Sequence, residues 1–424
     1  MKQYSIVELF SGIGSQAKAL EKIGIEVNLI KTCEWDIHAM IAYEAIHESN
    51  DVLESVQKLS KNELLEQLKQ YHLSNDGKEQ MKFEMLKTYS TDALKRILSS
   101  IIRTKNAVDV TGLKGSDLPA DIDLLTYSFP CQDLSNVGAF HGYNKGIDKN
   151  SGSRSSLLWQ VGRILKEMKD KGVSLPRFLV LENVPALLAE RHIKDFETWK
   201  SDLEELGYHN KVYLMNAVDY GIPQNRPRLI MISTRLPEDE AQRTEIMNKL
   251  ETYYQHNDIT SKAYISTIPK KKLSDLLRTD YTNEILLKEA LESQPNDTES
   301  RRDIWENNPK LIDKDGSMPH AFVRTITTKQ DRDPNSGNIY FDYKGNTKSK
   351  FRYLTPRECF LLMGFDEKDY ESIIEKNPEV HKGRCLFSRD KIIRMAGNSI
   401  PVNLLEYVFR QVSDLDKSVF PRED

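Results

Sequence analysis

Three short stretches carry side chains that could break or form a covalent bond. "YSFPCQ" (127–132) ends a strand-like apolar run on Pro130 and Cys131. Proline lacks an N–H and fixes its own φ, so the strand must stop there. A thiolate is a good nucleophile, but a plain thiol is mostly protonated at neutral pH and needs help to ionise. A cysteine by itself is more often a small buried residue. Against that reading, "QDLSNVGAFHGYNKGIDKNSGSRSS" follows at once, polar and punctuated by Gly138, Gly142, Gly146 and Gly152. Long stretches of this kind inside a compact domain are usually functional, so a lid over the thiol is expected across 131–153. "VLENV" (180–184) sets Glu182 and Asn183 at the end of another apolar run, where an acid costs free energy unless it is hydrogen-bonded or functional. Asn183 also suits a simple capping role. "PQNRPR" (223–228) supplies Gln224, Arg226 and Arg228 ahead of the apolar "LIMIST". A solvated turn is one reading; arginines beside an acid and a thiol also suit an anionic or carbonyl-bearing substrate.

A second group of residues suggests a nucleoside. "ELFSGIGS" (8–15) places Gly12 and Gly14 on a strand-to-helix turn, where the backbone can approach a ligand and the helix offers free N–H groups. Glu34 ends the next strand-like run, where a carboxylate can accept hydrogen bonds from both ribose hydroxyls, and Trp35 could cover a base. Ala17 stands where a third glycine would close the dinucleotide pattern, and no GK[ST] phosphate loop is present. A nucleoside without a pyrophosphate is therefore expected.

Positioning these residues calls for alternating strands and helices. "YSIVELF" (4–10), "EVNLIKTCEW" (26–35), "DLLTYSF" (123–129), "RFLVLEN" (177–183), "NKVYLMNAV" (210–218) and "PRLIMIST" (227–234) read as strands. Helical patterns separate most of them, including "DIHAMIAYEAIH" with Asp36 as its N-cap and "SSLLWQVGRILKEMK" (155–169). This is the pattern of an α/β fold with a doubly wound, mostly parallel sheet, whose ligands bind beyond the carboxyl ends of the strands. A charged helical insertion is expected at about 48–105, and a second, smaller irregular domain from about 236 to 350, with β-like runs "FVRTITT" and "NIYFDY". The tail "DLDKSVFPRED" is expected to fray.

The bulk numbers exclude more than they assign. With 424 residues there is room for two domains, and a mean hydropathy of −0.56 with 29% charged residues is that of a soluble globular chain. No apolar run approaches the ~20 residues of a membrane span, and no signal core opens the sequence, so a cytoplasmic protein is expected. Cys33, Cys131, Cys359 and Cys385 form no CxxC pair, which argues against a disulfide framework and against a cysteine-rich metal site. The net charge of −4 gives no hint of nucleic acid, although binding needs only a local basic surface.

Taken in order, the motifs resemble those of the cytosine-C5 DNA methyltransferases along most of the chain. The matching residues are Phe10-Ser11-Gly12-Ile13-Gly14, Glu34-Trp35, Asp109 in "AVDVTG", and Phe129-Pro130-Cys131-Gln132. They continue with "SRSSLLW", Glu182-Asn183-Val184, Gln224-x-Arg226-x-Arg228, "RYLTPRECFLLMGF" (352–365) and Gly397-Asn398-Ser399. The resemblance implies S-adenosylmethionine held by Phe10, Gly12, Ile13, Gly14, Glu34, Trp35, Asp109, Pro130, Asn398 and Ser399. It implies Cys131 as the nucleophile, Glu182 at cytosine N3 and Arg228 at the carbonyl oxygen, with Gln224 and Arg226 bracing the catalytic loop.

It further implies a catalytic and cofactor domain over 1–235, completed by 389–424, and a target-recognition domain over 236–388. "RTITTKQDRDPNSG" (324–337) is the expected groove contact, and a solvated loop is an equal reading. The implied partner is double-stranded DNA, in a restriction-modification setting, with a restriction endonuclease acting separately and the enzyme a monomer. Rival readings are an RNA (tRNA) cytosine methyltransferase, an inactive nucleic-acid-binding relative, and a thymidylate-synthase-like enzyme, which the nucleoside-site pattern disfavours.

Overall fold

The computed structural model describes residues 3–48, 51–130, 134, 147, 154–330, 335–343 and 347–420. Cys131, Gln132 and the expected lid, apart from Leu134 and Ile147, lie outside the described residues.

The centre is a six-stranded sheet of β1 (Tyr4–Leu9), β2 (Val27–Cys33), β3 (Leu124–Tyr127), β4 (Phe178–Asn183), β5 (Tyr208–Asn216) and β7 (Pro227–Arg235), in the order β2-β1-β3-β4-β7-β5. Strands β2, β1, β3 and β4 are parallel, and β7 runs antiparallel to both β4 and β5. β3 and β4 are buried along their whole length, as apolar runs in a sheet covered on both faces must be. The two-residue period of β1 divides the core. Ile6 faces a layer built with Leu20, Ile41 and Leu98, whereas Val7 and Leu9 face a layer built with Leu158, Leu165 and Trp199.

The first layer holds α1 (Ser15–Lys22) and α2 (Ile37–His47), and Asp36 caps α2 by accepting from the His38 N–H at 3.0 Å. The expected insertion consists of α3 (Glu54–Gln57), α4 (Lys61–Leu68), α5 (Phe83–Lys87) and α6 (Thr91–Arg103). It is not a mere appendage: α6 buries Leu94, Ile97, Leu98 and Ile101 in the layer that also holds Ile41 of α2. The second layer holds α7 (Leu158–Asp170) and α8 (Glu190–Glu205). These helices hold the two described residues of the expected lid. The Trp159 indole N–H donates to the Ile147 carbonyl at 2.6 Å, and Arg191 donates to the Leu134 carbonyl at 3.0 Å.

After β7 the chain carries α9 (Glu240–His256), α10 (Lys262–Ser266), α11 (Glu284–Glu292) and α12 (Glu299–Asn307). Strands β8 (Lys310–Ile312), β10 (Asn338–Tyr340) and β11 (Phe351–Arg352) form a small sheet, while β9 (Val323–Arg324) pairs with β6 (Gln224–Asn225). Both expected β-like runs therefore contain strands. The final elements are α13 (Pro356–Leu362), α14 (Glu367–Glu375), the hairpin β12 (Glu379–His381) with β13 (Arg384–Cys385), α15 (Arg389–Asn398) and α16 (Val402–Ser418). The tail expected to fray is helical as far as Ser418. Asp416 accepts from the Tyr4 hydroxyl at 2.9 Å and from Arg177 at 2.9 Å, which pins the chain end to the first strand.

Candidate cofactor and catalytic site

Because β1 lies between β2 and β3, the chain leaves its carboxyl end in opposite directions on the two sides, which opens a crevice at that edge. The turn after β1 is contorted: Phe10, Gly12 and Gly14 have φ of 58°, 55° and 79°. A bulky residue in the left-handed region costs about 1–3 kcal/mol, and such strain gathers at ligand sites. Gly14 is required on two counts, since a Cβ there would lie 2.3 Å from His47 Nε2. At Gly12 a Cβ would meet nothing within 4 Å, so the turn faces open space. Ile13 buries its side chain, and its carbonyl accepts from His47 Nε2 at 3.0 Å. Burial pushes the His47 imidazole down to about 4, so at neutral pH it is the neutral donor this bond needs.

Glu34 reaches back to this turn. Its Oε2 accepts from the Gly12 N–H at 3.0 Å and its Oε1 from the Asp36 N–H at 2.8 Å. A backbone hydrogen bond from Trp35 also reaches this carboxylate, which leaves at least one lone pair for a hydroxyl donor. Burial, and then the neighbouring Asp36, raise its carboxyl to about 7. Trp35 is half-buried beside it. Asn106, which the motifs did not single out, clamps Glu34: its Oδ1 accepts from the Glu34 N–H at 3.0 Å and its Nδ2 donates to the Glu34 carbonyl at 2.9 Å. Asp109 follows in the same loop and accepts from the Thr111 N–H at 2.9 Å and from His72 Nδ1 at 2.9 Å.

The turn after α15 closes the crevice from the far end of the chain. The Ile400 N–H donates to Ser15 Oγ at 3.3 Å, at the start of α1, and Asn398 is exposed. Ser399 turns its hydroxyl back to the Met395 carbonyl at 2.8 Å. The left-handed turn, the carboxylate with acceptor capacity to spare and the open space at Gly12 together fit a nucleoside.

The second half of the candidate site lies at the next two strand ends. The Phe129 carbonyl accepts from Asn183 Nδ2 at 3.1 Å and the Pro130 carbonyl from Ser155 Oγ at 2.6 Å. The backbone immediately before Cys131 is thus fixed by two side chains. Asn183 caps nothing distant; its Oδ1 accepts from the adjacent Val184 N–H at 2.8 Å. Since β7 runs against β4, its first residues come to the carboxyl end of β4, and Arg228 Nε meets Glu182 Oε1 at 2.8 Å. Burial raises the Glu182 carboxyl above the usual range, and Arg228 and then Arg226 hold it back.

Gln224 and Arg226 point elsewhere. Gln224 donates to the Leu362 carbonyl at 2.8 Å and accepts from the Ile326 N–H at 3.0 Å. Arg226 is buried and donates to the carbonyls of Ile326 at 2.7 Å, Gly397 at 2.8 Å and Ser399 at 2.8 Å. Both join three distant segments, and residues 324–326 of the expected groove contact are stitched to them. Residues 331–334 of that contact lie outside the described residues. Arg226→Met should leave three carbonyls without their donor and lower stability by about 3 kcal/mol, read by thermal or denaturant unfolding. An unfolding midpoint equal to the parent's would contradict the bracing role.

Residues 77–414 match the family model described as C-5 cytosine-specific DNA methylase. The orphan methyltransferase M.SssI of Spiroplasma monobiae is 30% identical over 421 residues, covering 97% of each chain. The type II methyltransferase M2.ScrFI of Lactococcus lactis subsp. cremoris is 30% identical over 96% of this chain and 98% of its own. Among solved structures, the Dnmt2 methyltransferase of S. pombe covers 97% of this chain and 99% of its own with a TM-score of 0.56, at 16% identity, a likeness of fold. With that family model spanning most of the chain and two relatives 30% identical over nearly its full length, this chain belongs to the C-5 cytosine-specific DNA methylases.

Proposed function

We propose that this chain methylates C5 of a flipped-out cytosine in a specific duplex DNA sequence, with Cys131, Glu182 and Arg228 as the groups that touch the base. The observation that carries the reading is the Glu182–Arg228 pair at 2.8 Å, together with the fixed Phe129-Pro130 backbone that precedes Cys131 in the chain. Cytosine C5 is too weak a nucleophile to be methylated directly. Addition of Cys131 Sγ to C6 makes C5 enamine-like and divides one hard step into easier ones. Glu182 gives or shares a proton at N3, and Arg228 donates to the carbonyl oxygen as charge gathers there. Loss of the C5 proton and elimination of Cys131 then restore the ring. C6 is inaccessible in a stacked pair, so the base must leave the duplex, at a cost of a few kcal/mol.

S-adenosylmethionine supplies an electrophilic sulfonium methyl group when bound. Glu34 would hold its ribose hydroxyls and Trp35 would cover the base. Phe10, Gly12, Gly14, Asp109, Pro130 and Asn398 would line the site, with Ile13 and Ser399 contributing through backbone shape. Residues 236–388 would read the target, with double-stranded DNA as partner and the cytoplasm as location. A restriction endonuclease acting separately and a monomeric enzyme belong to the same reading. Tritiated methyl transfer to duplex DNA and to tRNA tests it: incorporation into duplex DNA is expected, and incorporation into tRNA alone would overturn it.

The Glu34 carboxyl, held near 7, makes cofactor binding depend on pH. Ribose hydroxyls bind the ionised form, so affinity should be full at alkaline pH and fall as pH drops through 7. Glu34→Gln should bind about ten to a hundredfold more weakly and lose this pH dependence. Calorimetry at pH 6, 7 and 8 checks both, the variant cancelling the ligand's own titration. Parallel pH curves for the two proteins would remove Glu34 from the site.

A further inference from the structure

The helical insertion reaches the cofactor edge through the loop of residues 71–81. The Ser74 N–H donates to the Trp35 carbonyl at 2.8 Å and the Ile37 N–H to the Ser74 carbonyl at 3.0 Å, so Ser74 pairs beside Asp36 like one rung of an added parallel strand. The loop is closed on itself. Ser74 Oγ donates to the Glu79 carbonyl at 2.6 Å, and Asp76 Oδ1 accepts from the Lys78 and Glu79 N–H groups at 2.8 and 3.1 Å. Leu73 and Ser74 are buried, and Lys391 of α15 donates to the Asn75 carbonyl at 2.5 Å. This loop is therefore anchored directly beside Glu34-Trp35-Asp36.

From this loop His72 is aimed at Asp109, its Nδ1 lying 2.9 Å from Asp109 Oδ2. The loop bearing Asp109 is itself constrained. Val108 has φ of 64°, a costly conformation for a β-branched residue, and its N–H donates to Asn106 Oδ1 at 2.8 Å. Asn106 is the residue that clamps Glu34, so Asp109 and Glu34 are held in one frame. Asp109 Oδ1 accepts from Thr111 N–H at 2.9 Å and Thr111 Oγ1 at 2.8 Å, which fills it. Oδ2 accepts only from His72 among the contacts described above, and the side chain remains a quarter exposed. Burial works against the charged form, but the His72 and Thr111 bonds outweigh it and keep the carboxyl low.

We propose that the 71–81 loop is a wall of the cofactor site and that His72 is a positioning residue. By donating to Oδ2 it fixes Asp109 as an acceptor with one opening, which selects an N–H donor on the nucleoside base. With the ribose hydroxyls assigned to Glu34, the exocyclic amino group of adenine is the donor of matching chemistry. The inference rests on the reading of Asp109 as a cofactor contact. It gives the insertion a role in cofactor selection, whereas its position in the sequence suggests only decoration or DNA contact.

Calorimetry with S-adenosylhomocysteine and S-inosylhomocysteine, in which a carbonyl replaces the amino group, tests the inference on the full-length protein. The parent should prefer the adenosyl ligand by about tenfold or more. His72→Ala should lose about tenfold in adenosyl affinity with little change in inosyl affinity, and its kcat at saturating cofactor should stay near the parent's. His72→Asn, whose amide can donate from nearly the same place, should recover most of the loss. His72 is more than half exposed, so neither variant threatens folding. Equal losses for both ligands in His72→Ala would reduce His72 to a structural contact and overturn the proposal. So would an unchanged preference in His72→Ala where Asp109→Ala abolishes it. An unchanged preference in Asp109→Ala would instead overturn the reading of Asp109 on which the proposal stands.

Discussion

Serine or alanine at Cys131 is expected to abolish methyl transfer and to leave S-adenosylmethionine binding largely intact. The thiolate is the only group proposed to attack C6, and a serine hydroxyl, far less acidic, gives little nucleophile at neutral pH. The expected loss is several orders of magnitude, since removing a nucleophile strands every other group that acts with it. Cofactor binding should survive because most of its proposed contacts come from the turn after β1, from Glu34, Trp35 and Asp109, and from the turn after α15, with only Pro130 beside the substituted residue. A tritiated-methyl assay beside calorimetry separates the two effects. Full activity in the serine variant would end the nucleophile assignment. Loss of cofactor binding equal to the loss of transfer would show that the substitution had damaged the fold instead.

Glu182→Gln is expected to lower kcat by about a hundredfold to ten-thousandfold, the usual share of a positioned acid or base. Glutamine keeps the shape and can still hydrogen-bond N3, but it cannot move a proton there. It also releases Arg228 from its 2.8 Å partner. Burial holds the Glu182 carboxyl above its ordinary range, with the arginines opposing, which suits a group that must carry a proton near neutral pH. Duplex binding, read by a mobility shift, should change little. A glutamine variant with kcat within about tenfold of the parent would leave Glu182 a partner of Arg228 and nothing more.

The legible part of this site is the part that parallel-sheet geometry brings together. Gly12 and Glu34 end adjacent parallel strands, so their contact follows from the strand pattern alone, and the 3.0 Å bond is its physical expression. The Asp36 cap followed in the same way from residue type and position. Arg228 was harder to place, because its approach to Glu182 depends on β7 reversing direction, which periodicity does not report. Asn106 and His72 carried no signal, and Ser155 stood only inside motifs such as "SRSSLLW" with no role given to it. Each acts through a side-chain bond to a partner far away in sequence, such as Ser155 to the Pro130 carbonyl, and no spacing rule announces such a bond. Gln224 and Arg226 were visible as polar residues near the site. Only the coordinates show that they serve the backbone of three other segments.

The target sequence depends on the region after β7, where charge alone selects no reading surface. Arg226 ties that region to the catalytic edge through Ile326 and to the cofactor edge through Gly397 and Ser399. The segment expected to read DNA is thus joined mechanically to the site where the base would be methylated.

The central claim is that this chain methylates cytosine in DNA through Cys131. Bisulfite sequencing of genomic DNA from cells lacking other cytosine methyltransferases, expressing either the parent or Cys131→Ala, tests it most directly. The account predicts unconverted cytosines at one recurring sequence with the parent and complete conversion with the variant. Complete conversion with the parent, expressed and folded, or protection that persists in Cys131→Ala, would contradict it.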